Sequence, residues 1–394
     1  MKKKILAVLC VMGLLAGCTA GNAENTAPQE AQETLAQGEG ESPAEEAESE
    51  EPESEETQDA EAETEQSETA SFQEYFDITA EGIDYLSVEG IEVPPGMRLS
   101  MVGKDSGSGF WKQVHAGAQQ AVDDLNTALG YTGNEKVELS YDAPDNGDIA
   151  EQIDIIDQML DKSPDALIIG FVDINSGRTQ LELADSNGVP VFAVDSGIEN
   201  SLIISESKTD NYQAGKEAAV RLCELIGDEG QIALLVHSSE TETGIERENG
   251  FTDEIEQNHP NVEIVNVAYQ DQDERSTDDI VAAVLTEYPD LKAYAAMNED
   301  TTRSLLSALE MYGPEDRTIT VTGFDAAHSE IESIQNRTLA GVMAQNPYGM
   351  GYASAVAAMR EIARMENASV IETGYYWITA ENLNDPATQL LVYK

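Results

Sequence analysis

The sequence predicts an α/β protein built as two doubly wound lobes in tandem, and three observations carry that expectation. Short, nearly continuous apolar runs alternate with longer segments of helical period. The alternation runs through the chain twice, and 394 residues, 41% of them apolar, suffice for two or three folded units at roughly 150 residues each. Runs such as Ala166-Leu167-Ile168-Ile169 are apolar at successive positions, the pattern of a parallel sheet covered by helices on both faces.

The first 97 residues stand apart. Met1-Lys2-Lys3-Lys4 places positive charge before an apolar run from Ile5 to Ala16, the layout of an export signal and too short for a spanning helix. It ends in Leu14-Leu15-Ala16-Gly17-Cys18, which resembles the lipobox of bacterial lipoproteins. That resemblance implies a signal peptide over 1–17 and a lipid anchor on Cys18; the alternative is a plain secretory signal with an incidental cysteine. Several acyl chains would hold the protein firmly where one binds only marginally. Residues 18–70 then read as a disordered acidic linker. From Gly21 to Ala70 there are 18 acidic residues, no Lys or Arg and a single Leu, too little apolar surface to offset the entropy of ordering. A flexible chain of that length spans about 40 Å root-mean-square. In 71–97, Phe72, Tyr75, Phe76, Ile78, Tyr85 and Ile91 predict a segment that packs on the body before Pro94-Pro95.

After Gly96 the elements follow in order. Arg98 to Gly103 reads as a strand, and Phe110, Val114, Ala118, Ala121, Leu125 and Leu129 line one face of a helix. Then come strand Val137 to Tyr141, a helix near Ile149 to Leu160, strand Ala166 to Gly170, a helix near Ser176 to Ser186 and strand Val191 to Val194. A second series starts after Asp210: helix to Ile226, strand Gln231 to Val236, helix Ile245 to Asn258, strand Val262 to Ala268, helix Asp278 to Tyr288. It continues with strand Ala293 to Ala296, helix Thr301 to Met311 and strand Thr318 to Thr322. The tail adds strand Leu339 to Ala344, helix Gly349 to Met365 and strand Tyr375 to Ile378. Right-handed crossovers fit this surplus if the chain returns to the first lobe before finishing on the second.

Composition excludes several functions. The 76 acidic residues against 21 basic give a net charge of −55, and the part after residue 97 alone stands near −34. Such a chain offers phosphate backbones too few cations, so nucleic acid is not a partner. Beyond Cys10 and Cys18 only Cys223 remains, too few for a disulfide framework or a thiolate zinc site. No nucleophile elbow and no HExxH occur, and His115, His237, His259 and His328 lack metal-ligand spacing. The chain therefore reads as a binding protein without cofactor or metal, not an enzyme. Gly107 and Gly109 lack the spacing of a dinucleotide or phosphate loop and read as turn glycines. Asp123-Asp124 and Asp278-Asp279 read as solvated helix faces.

In open parallel sheets ligands bind beyond the carboxyl ends of the strands. Those positions hold Lys104-Asp105-Ser106-Gly107-Ser108-Gly109-Phe110-Trp111, then Asp173, Asp195-Ser196, Asn298-Glu299-Asp300, Gly323-Phe324-Asp325 and Gln345-Asn346. Carboxylates and amides bond vicinal hydroxyls and a ring covers the apolar face of a sugar, so the set suits a neutral polyhydroxylated ligand. Each has a structural alternative: Asn298 as a helix cap, Asp195 and Asp325 as turn or cap residues, Trp111 as core packing.

From Arg98 to Lys394 the chain resembles the periplasmic sugar-binding proteins of the ribose and galactose type, which feed ABC importers. The landmarks are Gly109-Phe110-Trp111 with Gly117-Ala118, Val189-Pro190-Val191 leading to Asp195, and Thr209-Asp210-Asn211. They continue with Glu246-Arg247-Glu248-Asn249-Gly250-Phe251, Tyr288-Pro289-Asp290, Asn298-Glu299-Asp300, Val321-Thr322-Gly323-Phe324-Asp325 and Ala344-Gln345. The resemblance implies a type I periplasmic binding protein: two Rossmann-like lobes joined by a three-strand hinge, closing on one sugar. It sets the lobes at 98–208 with 346–375 and 209–345 with 376–394. It implies that Phe110 and Trp111 stack on the sugar ring, that Asp195 binds hydroxyls from the first lobe, and that Asn298, Asp325 and Gln345 bind from the second lobe and hinge. Ser108 falls where ribose binders have a contacting asparagine. Ser196 and Ile245 stand where those binders have arginines, and Gln272 replaces an aromatic contact. With two cationic donors gone, Lys104 is read as the substitute donor, and ribose itself is disfavoured.

The resulting expectation is a monomeric, lipid-anchored protein on the outer face of the cell membrane that captures a neutral sugar or cyclitol and delivers it to an ABC permease. The alternative partner is a sensor kinase or chemoreceptor, which the same cleft would serve. A regulator of the lactose-repressor type would need a basic helix-turn-helix before the first strand, where the acidic linker stands.

Overall fold

The computed structural model describes residues 72–271, 275–316 and 318–394; the export signal, Cys18, the acidic linker and Gln272 lie outside the described residues. A small hairpin, β1 (Thr79–Ala80) and β2 (Ile83–Asp84), precedes the body. Then follow β3 (Arg98–Val102), α1 (Gly109–Leu129), β4 (Glu138–Asp142), α2 (Ile149–Asp161), β5 (Ala166–Ile169), α3 (Arg178–Ser186), β6 (Val191–Val194) and β7 (Ile203–Lys208). The next stretch is α4 (Asn211–Ile226), β8 (Gly230–Val236), α5 (Glu242–Asn258), β9 (Val262–Tyr269), α6 (Thr277–Glu287) and β10 (Leu291–Ala296). It runs on through α7 (Glu299–Tyr312), β11 (Thr320–Phe324), α8 (His328–Gln335) and β12 (Gly341–Gln345). The chain ends with α9 (Pro347–Ile362), β13 (Val370–Glu372), β14 (Tyr375–Ile378) and α10 (Pro386–Leu391).

Two six-stranded sheets organise these elements, in the orders β13-β7-β6-β5-β3-β4 and β14-β12-β11-β10-β8-β9. All pairs are parallel except β14 with β12. The chain leaves the first sheet after Lys208, returns after Gln345 when α9 packs on α1 and on β5 to β7, and crosses again between Glu372 and Tyr375. Among the described residues no helix is long and apolar enough to cross a membrane.

Local chemistry starts and stops the helices. Asp148, Asp210, Thr241, Ser276 and Asn346 each accept a backbone N–H in the first turn of α2, α4, α5, α6 and α9. Gly130 and Gly227 take the left-handed conformation that ends α1 and α4. The crossing of α1 and α9 requires glycine on both sides: a Cβ at Gly117 would stand 1.9 Å from Tyr348 O, and one at Gly351 would stand 1.8 Å from Val114 O. Gly351→Val therefore forces the helices apart. We expect it to cost about 3 kcal/mol, a fall in Tm of roughly 10 °C followed by circular dichroism.

The segment before β3 packs on the body through the aromatic residues named for it, except Tyr75, which is exposed. Phe72 and Phe76 are buried against Tyr348 at the start of α9 and Tyr376 on β14. Tyr85 Oη accepts from the N–H of Ala368, holding the hairpin region to the edge of the first sheet.

Several elements were not legible. β7 has two isoleucines followed by four polar residues (Ile203-Ile204-Ser205-Glu206-Ser207-Lys208), and β13 has three residues, so neither shows the apolar run of a covered strand. α8 and α10 are too short for a clear period. Asp124, read as part of a solvated face, instead accepts the Tyr352 hydroxyl at 2.7 Å and ties α1 to α9.

Candidate ligand-binding cleft

The carboxyl ends of both sheets face a cleft of about 650 Å³, within the roughly 300–1,000 Å³ range of small-molecule sites. Lys104, Ser108, Phe110, Trp111, Asp195, Asn298, Asp325 and Gln345, scattered over some 240 positions, all line it.

Its floor is organised by two aspartates at equivalent points of the two sheets. Asp195 follows β6 and Asp325 follows β11, with left-handed φ of 65° and 74°. Each donates its N–H at 2.9 Å to the neighbouring strand, to Ser207 O and Met343 O. Such a conformation costs a non-glycine residue about 1–3 kcal/mol, and here it turns a carboxylate out of each sheet end towards the space between them. Both residues do occupy turns, as the structural alternative held, and the turns are what aim them.

Asp325 is almost fully buried. Its Oδ1 accepts from Gln345 Nε2 at 2.6 Å and its Oδ2 from the Glu299 N–H at 2.9 Å. Burial pushes its carboxyl above the usual range, while Arg247, Gln345 and the Glu299 amide hold it down against that push. Gln345 is fixed from the other end by Thr209 Oγ1 at 3.0 Å, so one amide links two crossovers to the aspartate. Asp195 is met by Lys104 Nζ at 3.4 Å, which places that lysine as its partner.

Asn298 does cap α7: its Oδ1 accepts from the N–H and hydroxyl of Thr301 at 2.9 and 2.8 Å in a capping box. Asn298 also lines the cleft from that cap, so cap and lining coexist. Ser108 stands at the N-cap of α1 and makes no side-chain cap. Phe110 and Trp111 lie edge to face at 5.7 Å. Trp111 is only 4% exposed, with its indole over Gly170, where a Cβ would stand 2.1 Å from it. Core packing is thus most of what Trp111 does, with one edge left to the cleft. Trp377, the other tryptophan, lies on β14 away from that lining. A ligand that alters the protein's fluorescence should still do so in Trp377→Phe and lose the signal in Trp111→Phe; the reverse pattern removes Trp111 from the cleft.

Three further lining residues are named in the sequence but not assigned there as ligand contacts. Arg247, on the second turn of α5 and 2% exposed, donates from Nε to Asn211 Oδ1 at 2.9 Å and from Nη1 to Met297 O at 2.7 Å, with its guanidinium 4.5 Å from the Phe324 ring centroid. Burial works against its charge, and the nearby Asp325 and Asp195 support it. Ser196 and Ile245 bring no cation, and beside Lys104 the cleft keeps an arginine, visible in the sequence only as part of a landmark. His237, directly after β8, has Nε2 3.1 Å from the hydroxyls of Thr241 and Thr243, and its buried Nδ1 lacks a partner. Burial first, then Arg247 and Lys104, hold it neutral; the strand-end rule applied to β8 finds it. Glu299 accepts the Tyr393 hydroxyl at 3.3 Å, and burial with the charge of Asp325 pushes its carboxyl up to about 7.

Carboxylates, amides, one buried guanidinium and a ring edge are groups that grip the hydroxyls and the apolar face of a small polyhydroxylated ligand. Residues 99–365 match the model of a family described as the periplasmic binding protein domain. The chain is 27% identical over 204 residues to the ribose import binding protein of Bacillus subtilis (strain 168), which covers 52% of this chain and 65% of that one, just under two thirds of its length. It is 24% identical over 242 residues to the ribose import binding protein of Escherichia coli (strain K12), 61% of this chain and 77% of that one. An ABC transporter solute binding protein from Agrobacterium vitis, solved with bound α-D-tagatopyranose, shares the fold with a TM-score of 0.69 at 24% identity, over 76% of this chain and 99% of that one. With two parallel-sheet lobes about a polar cleft and a family match over more than half its length, the chain belongs to the periplasmic binding protein family, whose members bind rather than catalyse.

Proposed function

We propose that the protein captures a neutral sugar or cyclitol between its lobes and delivers it to the permease of an ABC importer. The observation that carries this reading is the pair of left-handed aspartates, Asp195 and Asp325, one from each sheet, offered to the same cleft beside Arg247 and the Phe110 and Trp111 rings. Hydroxyls of one small ring can bond both at once, so the ligand itself favours the closed arrangement. The relatives named for ribose, D-apiose and xylitol support a polyhydroxylated, uncharged ligand. Export and attachment through Cys18 put the cleft outside the cytoplasm, with the acidic linker as spacer.

A thermal-shift panel of monosaccharides, cyclitols, disaccharides, amino acids and sugar phosphates tests this. A ligand at a hundred times its Kd adds about 2.7 kcal/mol, a rise of roughly 5–10 °C for a domain of this size. We expect a neutral monosaccharide or cyclitol to give it. A rise confined to amino acids or phosphorylated compounds overturns the reading.

A further inference from the structure

A second set of contacts joins the lobes at the margin of the ligand cleft. Glu242 opens α5, on the second sheet, yet its carboxylate accepts from two groups of the first lobe: the Gly197 N–H at 2.8 Å and Lys208 Nζ at 2.5 Å. Beside it, the Ile174 N–H donates to Glu240 O at 3.0 Å, a backbone bond between the loops after β5 and β8. Glu206 lies under this junction. Its Oε1 is buried without a hydrogen-bond partner, and a Cβ at Gly197 would stand 2.3 Å from it, so glycine lets the acid come in against the loop.

The geometry points to a proton-sensitive latch in which Glu242, clasped by Gly197 and Lys208 over the buried carboxyl of Glu206, holds the lobes closed independently of the ligand. It depends on lobe closure and not on what is bound.

The charged groups facing Glu206 are Glu242 and Glu246 from α5 and Lys208 from its own strand. Burial first, then the charge of Glu242, push the Glu206 carboxyl up to about 8, with Lys208 opposing. Burial also pushes Glu242 up, but Glu206, Lys208 and the Gly197 amide outweigh it and leave Glu242 below its ordinary value. One proton thus sits on Glu206 and one charge on Glu242. When the lobes part, Glu206 regains water and returns towards about 4.3, the usual value for glutamate. Closure therefore takes up a proton. Its advantage from Glu206 is complete below the ordinary carboxylate range and is lost as pH rises through about 8. The contribution of ionised Glu242 runs the other way and is lost in acid, so closure is strongest between the two limits.

Spin labels at Asp185→Cys in the first lobe and Gln257→Cys in the second, in the mature ligand-free chain carrying Cys18→Ser, read the opening directly. Cys223 is buried and can stay. The ratio of closed to open chains should fall about tenfold between about pH 7 and pH 9. Glu206→Gln, which keeps the neutral form, should remove that fall, and Glu242→Gln should lower the closed fraction at both values. Distances in the native chain that do not change with pH overturn the latch, as does a Glu206→Gln variant that still opens in alkali. Because no sugar is added, neither result depends on the ligand assignment.

Discussion

Replacing Asp325 with asparagine should weaken sugar binding roughly 10- to 100-fold while leaving the fold intact. Asparagine tolerates the left-handed φ of 74° at this position, so the backbone turn survives. It can keep one acceptor for Gln345 or Glu299, but it removes the charge that Arg247 faces and that a ligand hydroxyl would meet. A hydrogen bond to a buried charged group is worth about 1.5–3 kcal/mol, and about 1.4 kcal/mol is tenfold in affinity. Titration calorimetry with the tightest sugar of the thermal-shift panel measures it. An unchanged Kd would show that Asp325 serves only the turn and the hinge.

Arg247→Met should be the costlier change, because it strikes fold and cleft together. Methionine fills much of the space, but Asn211 and Met297 O lose their donor, and Asp325 and Asp195 lose the cation that supports their charge. Breaking such a buried set costs about 3–5 kcal/mol, a drop in Tm of roughly 10–15 °C. The sign of the pH dependence follows. Without the guanidinium, burial holds the Asp325 carboxyl still further above its unfolded value. The variant is then least impaired in acid, where Asp325 is neutral, and loses stability as pH rises through the raised value. Melting curves at about pH 5 and about pH 8 should therefore show the larger deficit at the higher value. An equal deficit at both would mean that Arg247 acts by packing alone.

Much of this architecture is legible because covered parallel strands and amphipathic helices write different periods into the chain. The α1 stripe from Phe110 to Leu125 and the β5 run Ala166 to Ile169 are buried as their spacing requires. β7 is not legible for the same physical reason: near the sheet edge it carries Glu206 and Lys208, which serve the junction between lobes and break the apolar run. The strand-end rule finds Asp195, Asp325 and Asn298 because each lies within two residues of the last strand residue. It does not find Arg247, whose long side chain reaches the cleft from a helix and whose meaning depends on Asn211 and Met297 folding onto it. Nor does sequence distinguish the two uses of Asn298, since one residue at the start of α7 both caps the helix and lines the cleft.

The claim at the centre is that one small uncharged ligand bridges the two lobes through Asp195 and Asp325. A crystal structure of the complex with the tightest sugar of the panel tests it most directly. The account predicts ring hydroxyls within hydrogen-bond distance of both carboxylates, with Phe110 or Trp111 against the ring face. A sugar held by one lobe alone, or seated elsewhere on the protein with the cleft unaltered, would contradict it.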